Sequence, residues 1–446
     1  MNISRCLPVV AVTALSLLPA VLTAPSAADP TTTAGADFYL PPDRLPESAP
    51  GDILRAEPLA VAPLLTAGGS GAATAQRIMY RSNDTHDAPA AVTGTYFEPS
   101  RPWTGPGARP VVALAPGTQG QGDQCAPSKL FEELIHFDPP LDVMPEFEVT
   151  SVDALLSRGV AVVVTDYLGL GTPAVHDYVN RRSEAHAVLD AARAALRLPG
   201  TSLTATSPVA IMGYSQGGGG AAAAAEMQPS YAPELDVRGA AVGAPPADLL
   251  ATMHSPAIES GPFGTDQPSG AGVGLFGYIS NSIATDYPQA RQEIDQIFNA
   301  DGKAMLAEMN SICVVEGALR YMYRSSSAFT TSGRPISAEF ADSAVLRPIL
   351  DEQRIGGLTP AAPVLITSST TDDVIPYPQV RQLAVDWCAG GANVTLDTVD
   401  WIPPLFPSTV LGHGAGTHPY LSASLDWLTA RLSGVPATSG CQNLPN

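Results

Sequence analysis

A mostly parallel α/β fold, interrupted by one large and mainly helical insertion, is predicted by three features of this 446-residue sequence. Short apolar runs of the kind buried on both faces of a parallel sheet recur along the chain. Helical patterns separate them, which is the alternation that builds crossover connections. Between the apolar runs near 240 and 365, over a hundred residues carry no strand signal.

Strand-like text begins at Ile53-Leu54, then Gln76 to Tyr80, then Ala91 to Phe97 with alternating polarity. Apolar runs follow at Val111 to Leu114, Val160 to Val164, Val209 to Met212, Val237 to Val242 and Val364 to Ile366. Helices are expected at Val152 to Leu156, Glu184 to Leu198 and Gly217 to Met227. A last strand at Asn393 to Leu396 and a closing helix at Ser422 to Leu432 complete the pattern. In the strandless stretch, 255–285 is rich in Gly, Pro and Ser and carries Phe263, Leu275, Phe276, Tyr278 and Ile279. Pro288 to Tyr323 and 337–354 read as helical, and an insertion of this size at one point of such a sheet reads as a cap. The expected division is a signal peptide at 1–28, an extended lead-in at 29–50, core at 51–245, cap at 246–358, and core with tail at 359–446.

Composition narrows the partners. Forty-three acidic against 23 basic residues give a formal charge of −20, without basic clusters. That argues against nucleic acid or an anionic membrane, since phosphate binding needs clustered cations. Met1 to Arg5 is positive, Leu7 to Leu22 is almost wholly apolar, and Ser26-Ala27-Ala28 supplies small residues. This reads as a secretory signal cleaved after Ala28, with Ala27 nearly as good, so a secreted, soluble chain starting at Asp29 is expected. The apolar run contains Pro8 and Pro19 and is short of the roughly 20 residues a span needs. Four cysteines remain after cleavage: Cys125, Cys313, Cys388 and Cys441. In an exported chain they read as two disulfides, with three pairings open. No Cys-x-x-Cys or neighbouring His suggests a metal, and no metal or cofactor is expected.

The chemistry centres on Gly213-Tyr214-Ser215-Gln216-Gly217. The bare pattern is weak, because in a chain with 40 glycines roughly one random sequence in four would contain it. Its context is stronger: a buried strand, Val209 to Met212, precedes it and a run of small residues, Gly218 to Ala225, opens a helix after it. That is a nucleophile elbow, whose strained turn needs flanking glycines, and it makes the fold an α/β-hydrolase fold. A serine needs a histidine base and a carboxylate to orient it, in the chain order Ser, acid, His. After the strand ending at Ile366 comes Thr371-Asp372-Asp373-Val374-Ile375-Pro376, where Asp372 is preferred and Asp373 is left to point outward or cap a turn. Only His413 and His418 follow, both in a Gly-rich loop before the final helix, and local sequence does not separate them. Two backbone N–H groups must hold the oxyanion. Gln216 supplies one, and Thr118 or Gln119, in the loop after Val111 to Ala115, the other.

These segments resemble the secretory lipase family of the Candida antarctica lipase A type. The resemblance runs from about Phe38-Tyr39-Leu40-Pro41-Pro42 to Gly434 and includes Asp123 to Ser128, Val188 to Ala194, Gly213 to Gly217, Ser230 to Leu235, Asp372 to Tyr377 and Cys388 to Asn393. It implies a triad of Ser215, Asp372 and His413, with His413 preferred to His418, and Gln119 as the second oxyanion donor. It also implies disulfides Cys125–Cys313 and Cys388–Cys441. A longer segment, Trp401 to Pro407, departs from the family pattern and is expected to restrict or reshape the acyl site. The implied activity is hydrolysis of an acyl ester or lipid through an acyl-enzyme, by a monomer whose cap contacts lipid surfaces transiently. Short-chain or polysaccharide-linked esters are the alternative substrates, and a non-catalytic surface protein on the same fold is the remote one.

Overall fold

The computed structural model describes residues 37–62, 65, 72–260, 270–406 and 408–444. The expected signal peptide, the first residues of the expected lead-in and Phe263 lie outside them. Nine strands make one sheet: β1 (Ile53–Pro58), β2 (Ala72–Asn83), β3 (Pro89–Pro99), β4 (Val111–Ala115), then, beyond a separate hairpin of β5 (Ile135–Asp138) and β6 (Asp142–Pro145), β7 (Ala161–Thr165), β8 (Val209–Tyr214), β9 (Val237–Gly243), β10 (Val364–Ser369) and β11 (Val394–Val399). Their order is β1-β2-β3-β7-β4-β8-β9-β10-β11. The three pairings from β1 to β7 are antiparallel, and every pairing from β7 to β11 is parallel. Central strands β4 and β7 are buried at every position, as continuous apolar runs require.

Helices pack on both faces. The first are α1 (Pro127–Glu133), α2 (Val149–Leu156), α3 (Arg181–Arg197) and α4 (Gln216–Tyr231). α3 starts where the Asn180 side chain accepts the N–H groups of Arg182 and Ser183, satisfying first-turn donors. Between β9 and β10 run α5 (Leu249–Met253), α6 (Leu275–Asp286), α7 (Pro288–Ile297), α8 (Ala300–Met309), α9 (Val314–Tyr321), α10 (Ile336–Asp342) and α11 (Leu346–Glu352), with no strand among the described residues. The chain closes with α12 (Tyr377–Ala389), α13 (Leu411–Ala415) and α14 (Thr417–Leu432).

One expectation needs correction, and two features were not anticipated. Part of the stretch 255–285 belongs to α6, where Phe276, Tyr278 and Ile279 are buried in the core. The segment holding His413 and His418 is not a loop but α13 and the first turn of α14. The β5–β6 hairpin was not anticipated, because its residues are mostly exposed and carry no alternation against a core.

Candidate active site

Ser215 sits between β8 and α4 with φ +61°, a left-handed conformation that is costly for a residue with a Cβ. The turn closes only because its neighbours lack side chains. A Cβ on Gly217 would lie 2.1 Å from the Ala115 carbonyl oxygen, and one on Gly213 would lie 2.2 Å from that of Gly217. Ser215 is half-buried and borders an apolar cavity of about 590 Å³. His413, Thr118, Leu275 and Tyr278 of α6, and Val315 and Leu319 of α9 also line it.

The structure brings His413 to Asp372: the imidazole Nδ1–H donates to Asp372 Oδ2 at 2.8 Å. Asp372 is itself oriented, its Oδ1 accepting the N–H groups of Val374 (3.0 Å) and Ile375 (2.8 Å). His418 is exposed on α14. Asp373 does not point outward. It is buried, and its carboxylate accepts the backbone N–H groups of Thr409, Val410 and His413, which seats the start of α13. Adjacent aspartates thus hold one histidine twice, by ring and by backbone. Burial opposes a charged imidazolium, but the charge and hydrogen bond of Asp372, with the charge of Asp373, outweigh it and raise the His413 pKa. Tyr214, the residue before Ser215, donates to the His413 carbonyl at 2.7 Å. Nothing in the local sequence marked that role.

On the other flank, the Pro116–Gly120 loop follows β4. Thr118 lines the cavity, while Gln119 is buried and is not among its lining residues. The N–H of Gly117 is taken by Glu148 (2.9 Å), and no acceptor among the described residues takes those of Thr118, Gln119 or Gln216. The Gln119 side-chain amide is also without a partner among the described residues. The Gln119 backbone carbonyl accepts the N–H of Val314 at 2.8 Å, and Gly120 bridges Cys313. The disulfide Cys125–Cys313 fastens the same strip, and Cys388–Cys441 ties the C-terminal tail to α12. Burial raises the Glu148 carboxyl, against the hydrogen bonds from Gly117 and Ser151. Trp401 and Phe406 of the extra segment are exposed, and the residues after it, Thr409 and Val410, line the cavity.

Comparison with known proteins gives the family and the fold. The secretory lipase family model matches residues 140–440. A secreted triacylglycerol lipase of Malassezia globosa is 26% identical, over 92% of this chain and 83% of its own. A Mycobacterium tuberculosis protein named a probable inactive lipase is 27% identical, over 90% of this chain and 82% of its own. Among solved structures, Candida antarctica lipase A superposes with a TM-score of 0.73 at 20% identity, covering 91% of this chain and 87% of that one. The rice cell wall degrading esterase LipA of Xanthomonas oryzae gives 0.69 at 21% identity, covering 86% of this chain and 100% of that one. Both likenesses are likenesses of fold.

Proposed function

This chain belongs to the secretory lipase family, and from that premise we propose that it is a secreted lipase that cleaves acyl esters through an acyl-enzyme on Ser215. The observation that carries the reading is the shared cavity. Ser215 on its elbow and His413, bound to Asp372, border one apolar space of about 590 Å³. In the proposed mechanism the His413 Nε2 takes the Ser215 proton as Oγ attacks the ester carbonyl. Asp372 keeps Nδ1 protonated and stabilises the imidazolium that forms. The N–H groups of Gln119 and Gln216 receive the oxyanion. His413 then protonates the leaving alcohol, and water repeats the sequence to release the acid.

The helical insertion at 246–358 serves as the cap in this reading, since α6 and α9 supply much of the apolar lining. Contact with a lipid surface is proposed for Phe147 and Leu319, which line the cavity yet are exposed, and for the exposed Leu411.

A fluorophosphonate probe and p-nitrophenyl esters from acetate to palmitate test the reading. The expected result is labelling of the wild type, none of Ser215→Ala, a rate loss of about 10⁶-fold in that variant, and a maximum beyond short chains. A maximum at acetate without triglyceride cleavage would favour the esterase alternative. No labelling would favour a non-catalytic protein, as the name of the Mycobacterium relative suggests for that chain.

A further inference from the structure

Beneath the elbow lies a polar group that the proposed mechanism does not use. The side chain of Gln216 turns away from the cavity into the core, where its Nε2 donates to Glu184 Oε1 at 2.7 Å and to His176 Nε2 at 2.9 Å. His176 can accept there because its Nδ1–H donates to the Leu168 carbonyl at 3.1 Å. Glu184 Oε1 also accepts the Val179 N–H at 2.9 Å, and α4 comes so close that a Cβ on Gly220 would lie 3.5 Å from Glu184 Oε2. Tyr167 stacks on His176 with ring centres 5.7 Å apart and donates to the Pro116 carbonyl, at the root of the other oxyanion loop. Tyr178 packs against His176 and meets the Thr118 hydroxyl at 2.9 Å. All of these side chains but Thr118 are buried.

We propose that Glu184 is a positioning residue for the oxyanion hole: its carboxyl anchors the Gln216 side chain from behind and so fixes where the Gln216 backbone N–H lies. The inference rests on the ester-hydrolase reading above. Gln216 joins the elbow to this buried cluster in one step, and an anchored side chain leaves its N–H few directions to point.

The charge state follows from the surroundings. The titratable groups against Glu184 are His176, Tyr167 and Tyr178. Burial lowers His176 to about 4 and raises both tyrosines, so none is charged near neutral pH. Burial pushes the Glu184 carboxyl up to about 8, against the hydrogen bonds from Gln216 and Val179. Below that pH the carboxyl is neutral and does not oppose charge developing on the oxyanion. Above it, a buried anion sits one side chain away from the donor, and turnover falls.

Two variants test this in the full chain, with p-nitrophenyl butyrate and a pH series. Glu184→Gln keeps the accepting oxygen but cannot ionise. The expected result is kcat within about threefold of wild type at neutral pH and loss of the alkaline decline near pH 8. Glu184→Leu removes the acceptor, and kcat should fall about 10- to 100-fold with KM within about twofold. An alkaline limb unchanged in Glu184→Gln, a wild-type profile flat to about pH 9, or a folded Glu184→Leu with wild-type kcat each overturns the proposal. If Glu184→Leu does not fold, the Glu184→Gln profile decides. Fluorophosphonate labelling separates the two levels: a wild type that labels, with variants that behave like it, sinks only the role of Glu184. A wild type that does not label sinks the hydrolase reading itself.

Discussion

On one flank of Ser215, Asp372 and His413 meet across a single 2.8 Å hydrogen bond, and the residues that hold them come from 369–416 and Tyr214. On the other flank, the Pro116–Gly120 loop is held by Glu148, Tyr167 and Tyr178 of the core and by Cys313 and Val314 at the start of α9. In the proposed mechanism the first flank is the acid–base side, a local device of titratable side chains. The second is the oxyanion side, a set of backbone groups held by partners spread over much of the chain. A proton relay needs particular functional groups, whereas an oxyanion hole needs only N–H groups in the right place, and placement is a tertiary property.

The largest effect that would break this contrast lies within the aspartate pair. Asp372→Asn should lower kcat roughly 10⁴-fold, because the amide favours the wrong imidazole tautomer. Asp373→Asn should cost only about 10-fold, since it loosens the His413 backbone and leaves the ring bonded to Asp372. Steady-state kinetics of both variants check it, and a reversed order would move the catalytic acid to Asp373.

The disulfides sharpen the contrast at the next level. On the chain-entropy relation, loops of 188 and 53 residues make each bridge worth about 4–5 kcal/mol of stability. Replacing either cysteine pair with serine should therefore lower Tm. Only the Cys125–Cys313 pair touches the oxyanion loop. Its loss should also reduce kcat about 10-fold, with Cys388–Cys441 loss leaving kcat within about twofold. Calorimetry and kinetics below both midpoints separate the two. Equal kcat values would mean that the loop does not depend on α9.

The smallest effect is in pH dependence. In the proposed mechanism His413 must be neutral to accept the Ser215 proton, and, against burial, Asp372 raises its pKa. Activity is therefore lost as pH falls through a value above the ordinary imidazole pKa of about 6.5. A kcat/KM profile with its acid midpoint below that would show that the Asp372 contact is weaker in solution.

The middle of the sheet was legible because β4, β7, β8 and β10 are apolar runs rich in Val, Ile, Leu and Ala. The β5–β6 hairpin was not, because most of its side chains meet solvent. The inward turn of Phe276, Tyr278 and Ile279 was likewise hidden, since composition reports that a residue is apolar but not which way it faces.

Ser215, the Asp372-Asp373 pair and two candidate histidines could be read from residue order alone, because few types can do that chemistry and few of them lie after the elbow. The fold then gave the two aspartates different work, left His418 in solvent, and turned Gln216 back toward Glu184 and His176. None of those contacts is encoded in local spacing. They exist because β-strands distant in the chain lie side by side, and only that packing brings a carboxyl, an imidazole and an amide within hydrogen-bond reach.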